Sequence, residues 1–211
     1  KGIISNSCVS SNSRFQNIEM YNLTTTTIGN QVGVLFGIGN PRQIYNIYVN
    51  GLDMLRAEGT SVNRSRIGLT GSGLENIEVF ESIEVVNFNI YCNHQGAALI
   101  PYFICYRPLN IKNIKIQGNF YADGLNTSNA RIGMLIGELR TSSLTNLNIE
   151  NVFINMNNIQ VDNDTGASVI GERTSTLGFV NLKNIVSFVN NFYNNNTNQR
   201  KHGMILAGTR E

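Results

Sequence analysis

One short pattern, apolar-x-Asn-apolar-x-apolar, returns six times along the chain and limits it to architectures that stack one unit on itself. It appears as Phe15, Asn17, Ile18, Met20, then as Ile44, Asn46, Ile47, Val49, then as Leu74, Asn76, Ile77, Val79. Further copies are Ile111, Asn113, Ile114, Ile116 and Leu144, Asn146, Leu147, Ile149. The last is Leu182, Asn184, Ile185, where Ser187 takes the final apolar place. From Asn17 to Asn184 the mean step is about 33 residues, within the range of solenoid repeats. A second motif, small-x-apolar-x-Gly, keeps the same beat. It is met at Gly33-Val-Leu-Phe-Gly37, Gly68-Leu-Thr-Gly71, Ala97-Ala-Leu-Ile-Pro101, Gly133-Met-Leu-Ile-Gly137 and Ala167-Ser-Val-Ile-Gly171. A looser copy is Gly203-Met-Ile-Leu-Ala207.

Between the motifs apolar residues alternate in short runs, and the phase resets at Asn50-Gly51, at Gly118 and at Asn151. A period of two broken by Gly or Asn reads as strand, corner, strand, because both residues tolerate the left-handed backbone of a tight corner. The expected fold is all-β: a parallel β-helix (β-solenoid) of about six turns of roughly 33 residues, with three short strands per turn. The whole chain, 1–211, is one such segment. The longest alternation, from Ile83 to Cys92 with a slip at Val86, predicts the best-formed strand pair. Thr24 to Thr27 is a β-branched run suited to a strand. Leu55-Arg56-Ala57-Glu58 is too short to stand as a helix before Gly59. The Asn-rich stretches 155–165 and 190–201 read as loops bulging from one edge.

In a parallel stack each turn lies about 4.8 Å above the last, so residues at one phase form a column. The six motif asparagines, Asn17, Asn46, Asn76, Asn113, Asn146 and Asn184, are therefore expected to form a buried ladder bonded turn to turn. The same register sets Glu75 beside Lys112 and Glu78 beside Lys115.

Composition narrows the function. Charged residues make up 14% and the net charge is +2 with no basic run, so nothing marks a nucleic-acid or anionic-membrane surface. No window reaches the roughly 18 apolar residues of a membrane span. Asn is about a sixth of the chain, whereas Lys occurs only at positions 1, 112, 115, 183 and 201, so the gene's base composition does not account for the asparagines in register. Cys8, Cys92 and Cys105 have no metal spacing, allow at most one internal disulfide, and read as buried small hydrophobes.

Catalytic patterns are thin. Glu75, Glu78, Glu81 and Glu84 cluster at three-residue spacing, but the neighbouring turn offers Lys112 and Lys115, so an ion-paired face is the expectation. Asp53, Asp123, Asp162 and Asp164 are scattered, and His94 and His202 fall in different turns without a nucleophile at motif spacing. No catalytic residue, metal site or cofactor is assigned. Candidate glycosylation acceptors stand at Asn22, Asn63, Asn126, Asn163 and Asn195, about as many as chance would place.

Gly133-Met-Leu-Ile-Gly137 followed by Leu144-Thr-Asn146-Leu147 resembles the GLUG repeat, a Gly-Leu-any-Gly motif found in arrays in large secreted and surface proteins. That resemblance implies a β-solenoid and an extracellular or cell-surface place, and it brings no catalytic residues. The functional expectation is a structural or adhesive, non-catalytic segment. The alternative is a carbohydrate-active enzyme of the parallel β-helix type, a polysaccharide lyase or glycoside hydrolase, which would need a column of three or more acids with a base on one face. Gly2-Ile-Ile and Met204-Ile-Leu both read as pieces of the second motif, so the expected partners are continuing solenoid turns or end-to-end protomers, with a glycan or protein ligand on the surface.

Overall fold

The computed structural model describes residues 2–8, 12–27, 31–56, 66–71, 74–75, 77–92, 95–122, 131–161, 165–174, 178–193, 202–203 and 205–206. Among them there is no helix. The chain lays down β1 (Ser5–Cys8), β2 (Arg14–Thr27), β3 (Gln31–Gly39), β4 (Gln43–Arg56), β5 (Arg66–Thr70) and β6 (Leu74–Glu75). It continues with β7 (Val79–Cys92), β8 (Gln95–Gly96), β9 (Ile100–Cys105), β10 (Leu109–Ala122), β11 (Arg131–Gly133) and β12 (Ile136–Thr141). The last are β13 (Asn146–Val161), β14 (Thr165–Ala167), β15 (Ile170–Arg173), β16 (Phe179–Tyr193) and β17 (His202–Gly203).

These strands form three parallel sheets, and the molecule is a parallel β-solenoid. A seven-stranded sheet stacks β1, β3, β5, β8, β11, β14 and β17; a six-stranded sheet stacks β2, β4, β7, β10, β13 and β16; a four-stranded sheet stacks β6, β9, β12 and β15. The chain thus passes the six-stranded face six times, but only four described turns carry a strand in the third sheet.

Strands in the six-stranded sheet run 14 to 16 residues, so the expected pair of short strands on either side of a corner is one continuous ladder with bends in it. The expected loops are partly strand as well: 155–161 completes β13 and 190–193 completes β16. Leu55 and Arg56 end β4, and Thr24 to Thr27 end β2.

The bends follow from backbone chemistry. Asn17, Asn46, Ser82, Asn113, Asn151 and Asn184 all take φ between 52° and 57°, the left-handed region, and the flanking registers put all six at one level of the sheet. Asn is the residue other than Gly that adopts this conformation most readily. A second bend is made by Asn22, Gly51 and Asn87, with φ of 51°, 77° and 53°. In β10 the chain cuts this corner: the register shifts between Gln117 and Gly118, leaving Asn87 without a counterpart. A Cβ on Gly118 would stand 2.5 Å from the Phe88 carbonyl oxygen, so the shortcut requires glycine.

Inward positions form apolar columns. Ile18, Ile47, Ile83, Ile114, Val152 and Ile185 lie in register, and Phe36, Phe80, Phe88, Phe103 and Phe120 are fully buried. Each fully buried side chain of this size contributes about 1.5–3 kcal/mol, so the columns carry the stability of the stack. The small-x-apolar-x-Gly motif is the sharp arch between the seven- and four-stranded sheets. Gly33 pairs with Gly68, Gly133 with Ala167 and Ala167 with Gly203, while Ile136 pairs with Ile100 and Ile170. The Gly2-Ile-Ile fragment joins the same column, through a parallel bridge from Gly2 to Gly33.

Candidate binding groove on the six-stranded sheet

The left-handed corner turns the outer face of the six-stranded sheet inward on itself and leaves a groove of about 610 Å³ along the solenoid axis. One wall is the corner column, with Asn17, Asn46, Ser82, Asn113 and Asn151; the other is the next outward column, with Glu19, Tyr48, Glu84 and Lys115. A second hollow of about 470 Å³ lies beside it, between Glu81, Lys112, Asn110 and Asn148.

The structure brings together Asn17, Asn46, Asn113 and Asn184 of the expected ladder. Asn46 Nδ2 donates to Asn17 Oδ1 at 3.0 Å and Asn184 Nδ2 donates to Asn151 Oδ1 at 3.0 Å. Asn151 Nδ2 in turn donates to Asn113 Oδ1 at 3.1 Å. Two members differ. Asn76 lies outside the described residues, and the corner of that turn is Ser82. Asn146 is off the column, where it accepts from Asn181 at 3.1 Å, and Asn151 takes the corner. The expectation of burial is also corrected: the corner asparagines are exposed, because a left-handed residue on a concave outer bend points its side chain at solvent.

A longer ladder escaped the sequence reading. Asn191 donates to Asn158 (3.1 Å), Asn158 to Asn119 (2.8 Å), Asn119 to Asn89 (2.8 Å) and Asn89 to Asp53 (2.7 Å). Each amide donates to the earlier turn, and Asp53, whose carboxylate only accepts, closes the series. Its sequence signal was available: each member directly precedes a large apolar residue, Met54, Ile90, Phe120, Ile159 or Phe192. A third series runs from Asn181 through Asn148 to Asn110, both links at 2.8 Å.

Three of the four clustered glutamates are ion-paired, and the two lysines meet theirs in a register six residues from the one expected. Lys112 meets Glu81 at 2.9 Å and Lys115 meets Glu84 at 2.5 Å, while Glu78 pairs with Arg42 at 2.5 Å. Glu75 sits in β6 opposite Ile104. The hydrogen bond and charge of Glu81 hold the exposed Lys112 ammonium above its ordinary pKa. Glu19 accepts the Tyr21 hydroxyl at 2.8 Å, and that bond raises the phenol.

One charged cluster went unforeseen. Where β11 and β12 meet at the arch, Arg131 donates to Glu138 at 2.8 Å and also to Glu172, while Arg140 Nε donates to Glu138 at 3.0 Å. Glu138 and Glu172 are register neighbours in the four-stranded sheet, with Tyr102 on the other side of Glu138. Arg66 lies over the Tyr102 ring at 4.0 Å, and burial raises the Tyr102 phenol. Glu138 is 2% exposed.

Cys92 and Cys105 are both buried in the core. Burial pushes Cys105 up to about 11, so it is a packed thiol and not a nucleophile at neutral pH. Among the described residues no group of three or more His, Cys, Asp or Glu is assembled to hold a metal. His202 pairs with Gly166 in the seven-stranded sheet. Of the sequon residues, Asn22 is exposed at the second bend of β2. Asn63, Asn126, Asn163 and Asn195 lie outside the described residues, as do His94, Asp123, Asp162 and Asp164.

No family model matches the chain, and neither a curated protein nor a solved structure is detectably similar to it. The likeness to GLUG repeats stays at the level of its short motif.

Proposed function

We propose that the chain is a non-catalytic structural or adhesive segment of a cell-surface or extracellular protein, with the six-stranded face as its contact surface. The observation that supports this reading is the pairing of acids on that face: Glu78, Glu81, Glu84 and Glu150 each face a cation of a neighbouring turn. A hydrolase or lyase needs a carboxylate kept for proton transfer or for a metal. Here amides and ion pairs repeat along the axis instead, as suits a spacer that presents the same chemistry at every turn. In this reading the partners are further solenoid turns or end-to-end protomers against β16, where Leu182 of an inward column is 40% exposed, together with a ligand on the face. Exposed Asn22 would carry a glycan in a secretory host.

The test is incubation of the protein with neutral and acidic polysaccharides, with and without calcium, followed by assay for reducing ends and unsaturated products. No release is expected. Depolymerisation abolished by Glu81→Gln or Glu84→Gln would overturn the reading. A second reading, a carbohydrate-active enzyme, would rest on Glu138 and Glu172, carboxylates on neighbouring turns beside Arg131, but both are ion-paired and Glu138 is buried, which weighs against it. Depolymerisation abolished by Glu138→Gln would select it.

A further inference from the structure

We propose that the groove along the left-handed corner binds an extended, uncharged polysaccharide chain laid parallel to the solenoid axis. This inference rests on the adhesive reading and names its ligand.

The first argument is periodicity. The groove spans the turns from Asn17 to Asn151, and each turn advances about 4.8 Å, close to the length of one pyranose residue in an extended chain. A polymer with that repeat meets one polar corner side chain per sugar, an amide at four of the five turns and the Ser82 hydroxyl at the other.

The second is hydrogen-bonding capacity. An Asn amide has two N–H donors and a carbonyl with two lone pairs. The ladder link between Asn46 and Asn17, like that between Asn151 and Asn113, uses one donor of one amide and one lone pair of the other. What remains is at least one donor and one lone pair per amide on an exposed wall, which suits sugar hydroxyls because each hydroxyl both gives and accepts.

Charge provides the third argument. Lys115 is neutralised by Glu84, and Glu19 adds a negative group at the end of the groove, so a polyanion gains no attraction there. A peptide strand would seek an open sheet edge, but this groove lies on the face of a sheet whose strands are paired on both sides of the corner.

The fourth is an aromatic platform held in place. The Tyr48 hydroxyl accepts from Asn50 Nδ2 at 3.1 Å, and its ring lies 5.7 Å from that of Tyr21. Tyrosine offers an apolar ring for the C–H face of a sugar together with a polar tip. Corner backbones and ladder amides are already fixed, so little ordering entropy is lost when a ligand lies down on them.

The experiment is titration calorimetry of the 211-residue protein with uncharged hexasaccharides (β-glucan, xylan, mannan and chitin fragments) and with oligogalacturonate and heparin fragments as anionic probes. At least one uncharged hexasaccharide is expected to bind with Kd below about 1 mM. Tyr48→Ala should weaken it at least tenfold. The Asn46→Gly, Asn113→Gly double variant, which keeps the left-handed backbone and removes two amides, should weaken it similarly with an unchanged circular dichroism spectrum. Tyr91→Ala, on the same sheet outside the groove, should leave it unaltered. Binding of no uncharged probe, preference for the anionic fragments, or affinity unmoved by Tyr48→Ala and the double variant would each overturn the proposal. If the bound chain is cleaved, the adhesive reading fails and the groove stands. If nothing binds and nothing is cleaved, the groove fails and the structural reading stands.

Discussion

At each corner of the six-stranded sheet two demands meet on one residue, a left-handed backbone and a side-chain bond to the next turn. Because the corner asparagines are exposed, their amide bonds compete with water and are worth at most about 1 kcal/mol each, whereas forcing a residue with a Cβ and no compensating polar group into the left-handed region costs about 1–2 kcal/mol. Backbone preference should therefore dominate. Asn113→Ala is expected to destabilise by about 1–2 kcal/mol, and Asn113→Gly by a few tenths, since glycine removes the amide but keeps the conformation. Urea denaturation of both variants checks this, and a glycine variant as unstable as the alanine one would mean that the ladder bond is the larger effect. Ser82 provides the converse test. It holds φ 55° between Asn46 and Asn113 and interrupts the column, so Ser82→Asn should add two ladder contacts and a better left-handed residue. A gain of about 0.5–1.5 kcal/mol is expected in the same assay, and a loss would contradict the account of the corner.

At the scale of the strand and the arch, backbone contact sets the tolerance. A Cβ on Gly133 would come 2.1 Å from the Ile136 carbonyl oxygen and 2.5 Å from the Gly171 nitrogen, and neither atom belongs to a flexible side chain. Gly133→Val should therefore cost about 3 kcal/mol or more and lower the yield of folded protein, while Thr141→Val, farther along β12, should cost less. Equal melting temperatures for the two variants would refute this account of the arch. The repeat, the parallel stack and the second motif, though not the arch that it builds, were legible in the sequence because they are local patterns. Register was not. Leu74-Glu-Asn76-Ile77 fits the motif better than Phe80-Glu-Ser82-Ile83, which lacks the Asn, yet the long alternation of β7 can be buried only if Phe80 enters the core, which sends Leu74 to the third sheet. Likewise Leu144 is 76% exposed, and Ile149 takes the core place that the motif assigned to it. Ladder partners stand 29 to 38 residues apart at the corner, so a mean period cannot say which of two nearby copies sits in the column. The outer groove was illegible for a related reason: it is made by the bend, and the bend depends on φ at a residue that need not be Asn, as Ser82 demonstrates.

A solenoid is nearly one-dimensional, with each turn touching mainly its neighbours, so its cohesion depends on contacts that tie one turn to the next across different sheets. Arg131 is such a tie. It stands in the seven-stranded sheet, bonds Glu138 across the arch of its own turn, and bonds Glu172 of the following turn, with its side chain 13% exposed. Removing it takes away the cation that bonds both Glu138 and Glu172, neighbouring carboxylates with side chains 3% and 14% exposed, and breaking a buried ion pair by deleting one partner costs about 3–5 kcal/mol. Lys112 also ties one turn to another, through Glu81, but its side chain is 39% exposed, and exposed pairs are worth less than about 1 kcal/mol. Arg131→Met should therefore lower the urea midpoint far more than Lys112→Met, although each deletes one cation of similar length. If the Arg131 site is the clasp between turns, Arg131→Met should also split the transition, because the turns on either side of it would no longer melt together. A single transition with a midpoint matching that of Lys112→Met would mean that the apolar columns alone hold neighbouring turns together and that the charged cluster is incidental to the stack.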